Sequence, residues 1–175
     1  MKPKWWNKGK RYLSKRDKVI RKLIKAYKGH LTTRKNFFYS LSRSIISQQI
    51  SVSAADSVFS KFEKKCKGKI KPRTVLNLSI SDLRKCGLSR MKAKGIKSLA
   101  KKIIDKSFDP KLIKKMPDED AINYLSSLRQ IGRWSSEMVL IFFYNRPNIW
   151  PVQDIGLLRA ISNNYKKKYH PPKNF

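Results

Sequence analysis

The sequence predicts an all-α fold, a compact set of short helices joined by short loops. Three observations carry that prediction. Apolar residues recur at three- and four-residue spacing along most of the chain, cap and breaker residues stand at the ends of those runs, and no segment shows the alternation of a half-buried strand. A chain of 175 residues with 40% hydrophobic content can bury about 70% of its unfolded surface. It suits one domain or two small lobes sharing an interface.

Taken in order, Val19, Ile20, Leu23, Ile24 and Tyr27 form one stripe of a helix from Asp17 to Tyr27, with Ser14 and Asp17 in capping-box spacing before it. Phe37, Phe38, Leu41, Ile45 and Ile46 form a second stripe. Beyond the polar Ser47-Gln48-Gln49, a third carries Val52, Ala55, Val58, Phe59 and Phe62. Lys64 to Lys71 reads as a basic loop around Gly68, and Pro72 suits the first turn of a short helix. A helix from Asp82 to Cys86 stops at Gly87, and Ser89 caps another that carries Ile96, Leu99, Ala100, Ile103 and Ile104. Asp109-Pro110 and Pro117-Asp118 are helix starts, the second opening a helix with Ala121, Ile122, Leu125 and Leu128. Leu83-Arg84-Lys85-Cys86-Gly87-Leu88 faintly echoes Leu128-Arg129-Gln130-Ile131-Gly132, an echo that two helices ending near a glycine produce by chance.

Charge bounds the partner. The chain has 42 Lys and Arg against 11 Asp and Glu, a formal net charge of +31, which attracts polyanions, nucleic acid first among them. A lysine-rich composition by itself inflates the magnitude but not the sign. Cys66 and Cys86 have neither CxxC nor Cys/His spacing, so no zinc site or iron–sulfur cluster is expected and a reducing compartment fits. No apolar run approaches membrane-spanning length, and Trp5 and Trp6 stand among lysines where a signal peptide has its apolar core. The expectation is a soluble protein, with residues 1–11 a basic extension and residues 12–175 the folded domain.

Chemistry begins at Gln130 to Arg133. A helix ending at Leu128, a tight turn through Ile131-Gly132 and a new helix opening at Trp134-Ser135 make a helix-hairpin-helix. The second helix then offers free backbone N–H groups and a positive dipole end to a phosphate. Gly132 lets the phosphate approach the backbone. On spacing alone, a plain αα-hairpin is the better reading.

Residues around the turn change that balance. Ser44-Ile45-Ile46-Ser47-Gln48-Gln49-Ile50-Ser51 is one segment of interest, and Leu83 through Ala93 is another. The third is Leu128 through Asp154, with Trp134-Ser135-Ser136-Glu137-Met138 and Trp150-Pro151-Val152-Gln153-Asp154. From about Tyr12 onward the chain resembles the helix-hairpin-helix DNA glycosylase superfamily, and within it the 3-methyladenine DNA glycosylase II type. The resemblance implies a two-lobed helical glycosylase fold and a monofunctional N-glycosylase that releases alkylated purines of the 3-methyladenine and 7-methylguanine type in base excision repair. It implies double-stranded DNA with damaged bases as partner, a monomer, no membrane, and no required cofactor or iron–sulfur cluster. The compartment would be the cytoplasm and nucleoid of a prokaryote or the nucleus of a eukaryote. A non-catalytic helix-hairpin-helix DNA-binding protein is the alternative, with a small ribosome-associated basic protein a distant third.

The resemblance also assigns residues. Asp154 is its catalytic carboxylate; the same residue would make a good N-cap for the helix opening at Ile155, and the two roles are compatible. Trp134 takes the place at which the lyase branch carries a Schiff-base lysine, which an indole cannot replace. It is suited to stack on a flipped base, with Met138 one turn further on the same face; core packing is the competing reading for both. Gln49 is the residue inserted into the duplex, with Ile50 a wedge and Ser51 beside it, although an exposed helix-end glutamine would look the same. Ile131, Gly132, Arg133 and Ser135 hold phosphate, and the carbonyls of Ser126, Leu128 and Ile131 hold a structural monovalent cation. The chain departs from the pattern at Gln130, where the family has the first glycine of its turn, and at Ser136, where it has Ala. Relatives continue into a further helix with a Trp-Pro-x-Arg-like motif, expected to be lacking beyond Lys173-Asn174-Phe175.

Overall fold

A computed structural model describes residues 2–34 and 36–167. Ten α-helices account for its regular structure, and no strand occurs among the described residues. They are α1 Trp6–Arg16, α2 Lys18–Ala26, α3 Phe37–Ser47, α4 Val52–Lys65 and α5 Pro72–Leu76, then α6 Ile80–Lys85, α7 Arg90–Ile104, α8 Asp118–Ser126, α9 Arg133–Phe142 and α10 Ile155–Tyr165. A 3-10 turn at Leu112–Lys115 follows Asp109-Pro110.

The most apolar stripe read from the sequence becomes the centre of the molecule. Phe37, Phe38, Leu41, Ile45 and Ile46 of α3 are all buried, and α3 packs against α4, α7 and α9. Since α7 in turn contacts α5 and α6, and α9 contacts α8, two groups of helices meet on α3. One continuous core runs from Phe37 to Leu140 and includes both cysteines. Burial pushes the Cys66 thiol up to about 11, which leaves it protonated at neutral pH.

Three details differ from expectation. Asp17 itself caps α2 by accepting from the Ile20 amide, while Ser14 lies inside α1 and donates to the Arg11 carbonyl; the Ser14/Asp17 capping box does not form because a helix already occupies its first residue. The boundary placed between residues 11 and 12 falls within α1, and Trp5 Nε1 donates to the Asn145 carbonyl at 2.7 Å. Val52 is 79% exposed, since it opens α4 at the rim of the loop that follows α3. The chain end at Lys173-Asn174-Phe175 lies outside the described residues.

Candidate active site and nucleic-acid interface

The α8–α9 turn is built to leave amides free. In α2, α3, α4, α6, α7 and α10, the first turn is capped by the side chain of Asp17, Asn36, Ser51, Ser79, Ser89 or Asp154. At α9 the N-cap is Gly132, which has no side chain to offer, and the helix starts without a side-chain cap. The first backbone bond of the helix is from Ser136 to the Gly132 carbonyl, so the N–H groups of Arg133, Trp134 and Ser135 point to the positive end of the helix. Gly132 is exposed, has an extended backbone (φ −98°, ψ −176°), and a Cβ placed on it would meet nothing within 4 Å. The protein itself does not require glycine there.

The left-handed residue of the turn is Gln130, with φ 65°. The chain keeps the backbone of a glycine turn and carries the strain of a side chain in it. Its stem is accommodated by Gly95 of α7, where an added Cβ would lie 2.8 Å from Gln130 Cγ and 2.9 Å from its Cβ. Ser136 also has a local explanation, since its hydroxyl donates to the Gly132 carbonyl and meets the Ser126 hydroxyl, both at 3.1 Å, joining the two helices of the hairpin.

Of the two roles weighed for Asp154, the structure shows the helix cap, with the second carboxylate oxygen held by Trp134. Oδ1 accepts from the Leu157 amide at 2.7 Å as the N-cap of α10, and Oδ2 accepts from Trp134 Nε1 at 2.8 Å. Trp134 is thus rooted in the uncapped first turn of α9 while its indole holds the carboxylate. Trp134 and Met138 are half-buried and neither belongs to the core cluster; one turn apart, they share a face of α9. Glu137 lies nearby, 2% exposed, its carboxyl held above the usual range by burial, with Arg133 pulling it down.

What Arg133 offers a phosphate is its uncapped backbone amide, while its exposed guanidinium is bidentate to Glu119 at 2.6 and 2.8 Å and reaches Glu137 at 3.1 Å. Ser135 and Ile131 are buried, and the Ser135 hydroxyl accepts from Gln48 Nε2 at 2.9 Å; the side chains of these two residues do not face outward. Gln49 and Ile50 do. Both are exposed at the tip of the α3–α4 loop, Gln49 with φ 54°, and Ser51 is engaged as the cap of α4.

Two residues that sequence reasoning did not single out fix that tip. Gln48 donates through Nε2 to the Gln130 carbonyl at 2.7 Å as well as to Ser135, which ties the loop to the hairpin. Lys92 donates to the Ile46 and Gln48 carbonyls at 2.9 and 2.7 Å, placing a cation where α3 has unsatisfied carbonyls. Burial lowers the pKa of that ammonium.

The carbonyls of Ser126, Leu128 and Ile131 flank the same turn. Leu128 O already accepts from the Ile131 amide at 3.1 Å and retains one lone pair, whereas no backbone amide of the described residues donates to the other two. Neutral oxygens with no carboxylate among them suit a weakly hydrated monovalent ion better than a divalent one. Among the described residues no group of three His, Cys, Asp or Glu could hold a metal.

Comparison with known proteins bears on this arrangement. Residues 42–174 match the family model described as HhH-GPD superfamily base excision DNA repair protein. The chain is 29% identical over 169 residues to DNA-3-methyladenine glycosylase 1 of Schizosaccharomyces pombe, covering 93% of this chain and 72% of that protein. It is 34% identical over 104 residues to a putative DNA-3-methyladenine glycosylase of Bacillus subtilis, 59% of this chain but 36% of the relative's length. The solved S. pombe 3-methyladenine DNA glycosylase in complex with abasic DNA superimposes with a TM-score of 0.80 at 27% identity, over 95% of this chain and 84% of that one.

Proposed function

We propose, since this chain belongs to the HhH-GPD superfamily of base excision DNA repair proteins, that it is a DNA glycosylase that hydrolyses the N-glycosidic bond of alkylated purines and has no lyase activity. One observation carries the reading: the Trp134 indole, anchored in the uncapped first turn of α9, holds the Asp154 carboxylate. A backbone phosphate gripped by that turn therefore brings its own deoxyribose toward a fixed negative charge. As the glycosidic bond lengthens, positive charge develops on the sugar, and a preoriented carboxylate stabilises it without reorganising. The same carboxylate orients the attacking water.

No second carboxylate acting as general acid is needed if the leaving base is already cationic, as purines alkylated at N3 or N7 are. That separates this chemistry from sugar glycosidases, which protonate their leaving group. The free face of Trp134 suits an electron-poor base, at about 1–3 kcal/mol for stacking. Gln49 and Ile50 fill the gap the base leaves. The Ser126, Leu128 and Ile131 carbonyls would hold a monovalent cation that stiffens the turn. A non-catalytic DNA-binding protein would give the Trp134–Asp154 bond no role beyond structure.

Asp154→Asn tests the reading: its one carbonyl oxygen can keep the cap of α10, since Asn also caps helices well, while its amide nitrogen gives up the bond from Trp134 Nε1. It is expected to abolish release of 3-methyladenine while affinity for abasic DNA stays equal or rises. Release at a near wild-type rate would remove Asp154 from the chemistry. Borohydride added during turnover should trap no protein–DNA adduct, and the strand should stay intact until alkali is added; a trapped imine would overturn the monofunctional reading.

A further inference from the structure

Residues 2–28 hold twelve Lys and Arg and a single acid, Asp17. None of the twelve forms an ion pair among the described residues. Asp17 is itself committed, accepting from the Ile20 amide and from the Tyr165 hydroxyl. The helices α1 and α2 pack on each other and contribute no buried residue.

This charge works against the fold that bears it. Arg11 and Lys15, Lys18 and Lys22, and Arg21 and Lys25 are like-charged neighbours one turn apart, each pair opposing helix formation. Neither helix has an acid in its first turn, and Lys18 opens α2 at its positive end. An external polyanion would relieve both.

Position selects the polyanion. Asp154 caps the start of α10 and Tyr165, its last residue, is bonded to the α1–α2 corner at Asp17. At 1.5 Å per residue, the 11 residues of α10 span about 16 Å, the length of about five base pairs. A groove of about 490 Å³ lined by Asn7, Lys10, Arg11, Ser14 and Ile24 lies on this hairpin, and its polar side chains can all donate hydrogen bonds.

We propose that the α1–α2 hairpin is a second DNA-binding surface, gripping backbone phosphates of the duplex that flanks the damaged base at about five base pairs and beyond. The proposal rests on Asp154 marking the position of that base.

The test uses the full chain with Lys8, Lys15, Lys18 and Lys22, all exposed, changed together to Gln, which retains helix propensity. Binding is measured against salt on two duplexes with a central abasic analogue, one of about 30 base pairs and one of about 8, whose arms end about 14 Å from the centre, short of the hairpin. The variant should bind the long duplex at least about tenfold more weakly, with a log–log salt slope shallower by about 0.9 per lost contact. On the short duplex it should match the unaltered chain within about twofold, and its melting temperature without DNA should be equal or higher. Equal losses on both duplexes, no loss on either, a preferential loss on an RNA duplex, or a lowered melting temperature would each overturn the proposal. Base release from methylated DNA by the unaltered chain is scored separately: its absence defeats the glycosylase reading, while the length dependence still decides this one.

Discussion

Two of the turns that join helices through a glycine put that residue to opposite work. Between α6 and α7, Gly87 has φ +96°, and a Cβ there would lie 3.0 Å from Val58 Cγ2. Backbone and packing both require it, so the residue is fixed from inside. Between α8 and α9, Gly132 has an ordinary extended backbone and open space around it, while the left-handed position falls on Gln130. Nothing in the fold asks for Gly132. What it leaves is an uncapped helix end and room for an atom the protein does not supply. Gly29, in the α2–α3 linker, is equally open and without a positive φ, so openness alone says little; what sets Gly132 apart is that it stands at the uncapped start of a helix.

That contrast can be broken at three points. Gly132→Val should have the largest effect, weakening binding to abasic DNA and slowing base release by on the order of 10- to 100-fold, the loss of one or two charge-assisted bonds. Its melting temperature should hold within about 2 °C, since Val adopts this backbone freely. A variant that binds and excises normally would mean the turn does not touch phosphate.

Gly95→Ala sharpens the comparison because it reaches the second turn from inside. Its Cβ would press on the Gln130 stem, costing about 1–3 kcal/mol of stability as overpacking does, with a several-fold loss of DNA binding as the turn shifts. Adding Gln130→Gly should recover most of both, and a double variant no better than the single one would show that the contact is not the cause. The smallest change in DNA binding is expected from Gly87→Ala, which costs about 1–2 kcal/mol of stability for a left-handed alanine, or roughly 2–8 °C in thermal denaturation. DNA affinity measured well below that transition should not move; a parallel loss of affinity would give the two turns the same function.

The sequence disclosed most of the fold because burial follows helical period, and α3 is the clearest case: five apolar residues at helical spacing became five buried ones. It misled at Val52, where the same spacing continues onto a rim, since periodicity identifies a face but not how far the neighbouring helix reaches. Asp154 and Trp134 could be named from motifs, yet the bond between them, twenty residues apart, could not. The ion pairs of the Arg133 guanidinium were not legible either, because one acidic partner comes from another helix and one from the next turn of its own. Gln48 and Lys92 left still less trace. Their bonds cross 44 to 87 positions of sequence, and Lys92 is one of 42 cations that composition cannot tell apart.

The seating of Gln130 on Gly95 also constrains history. A chain with glycine at the left-handed position of the turn tolerates a side chain at position 95, and a chain with Gly95 tolerates either residue at 130. The combination of both side chains collides at 2.8 Å. From a chain with a side chain at 95 and glycine at 130, the route to the present pair that avoids the collision opens position 95 first, and the reverse route gives up Gln130 before 95 is refilled. The two sites, 35 positions apart in sequence, are thus coupled in the order of their changes as well as joined in space.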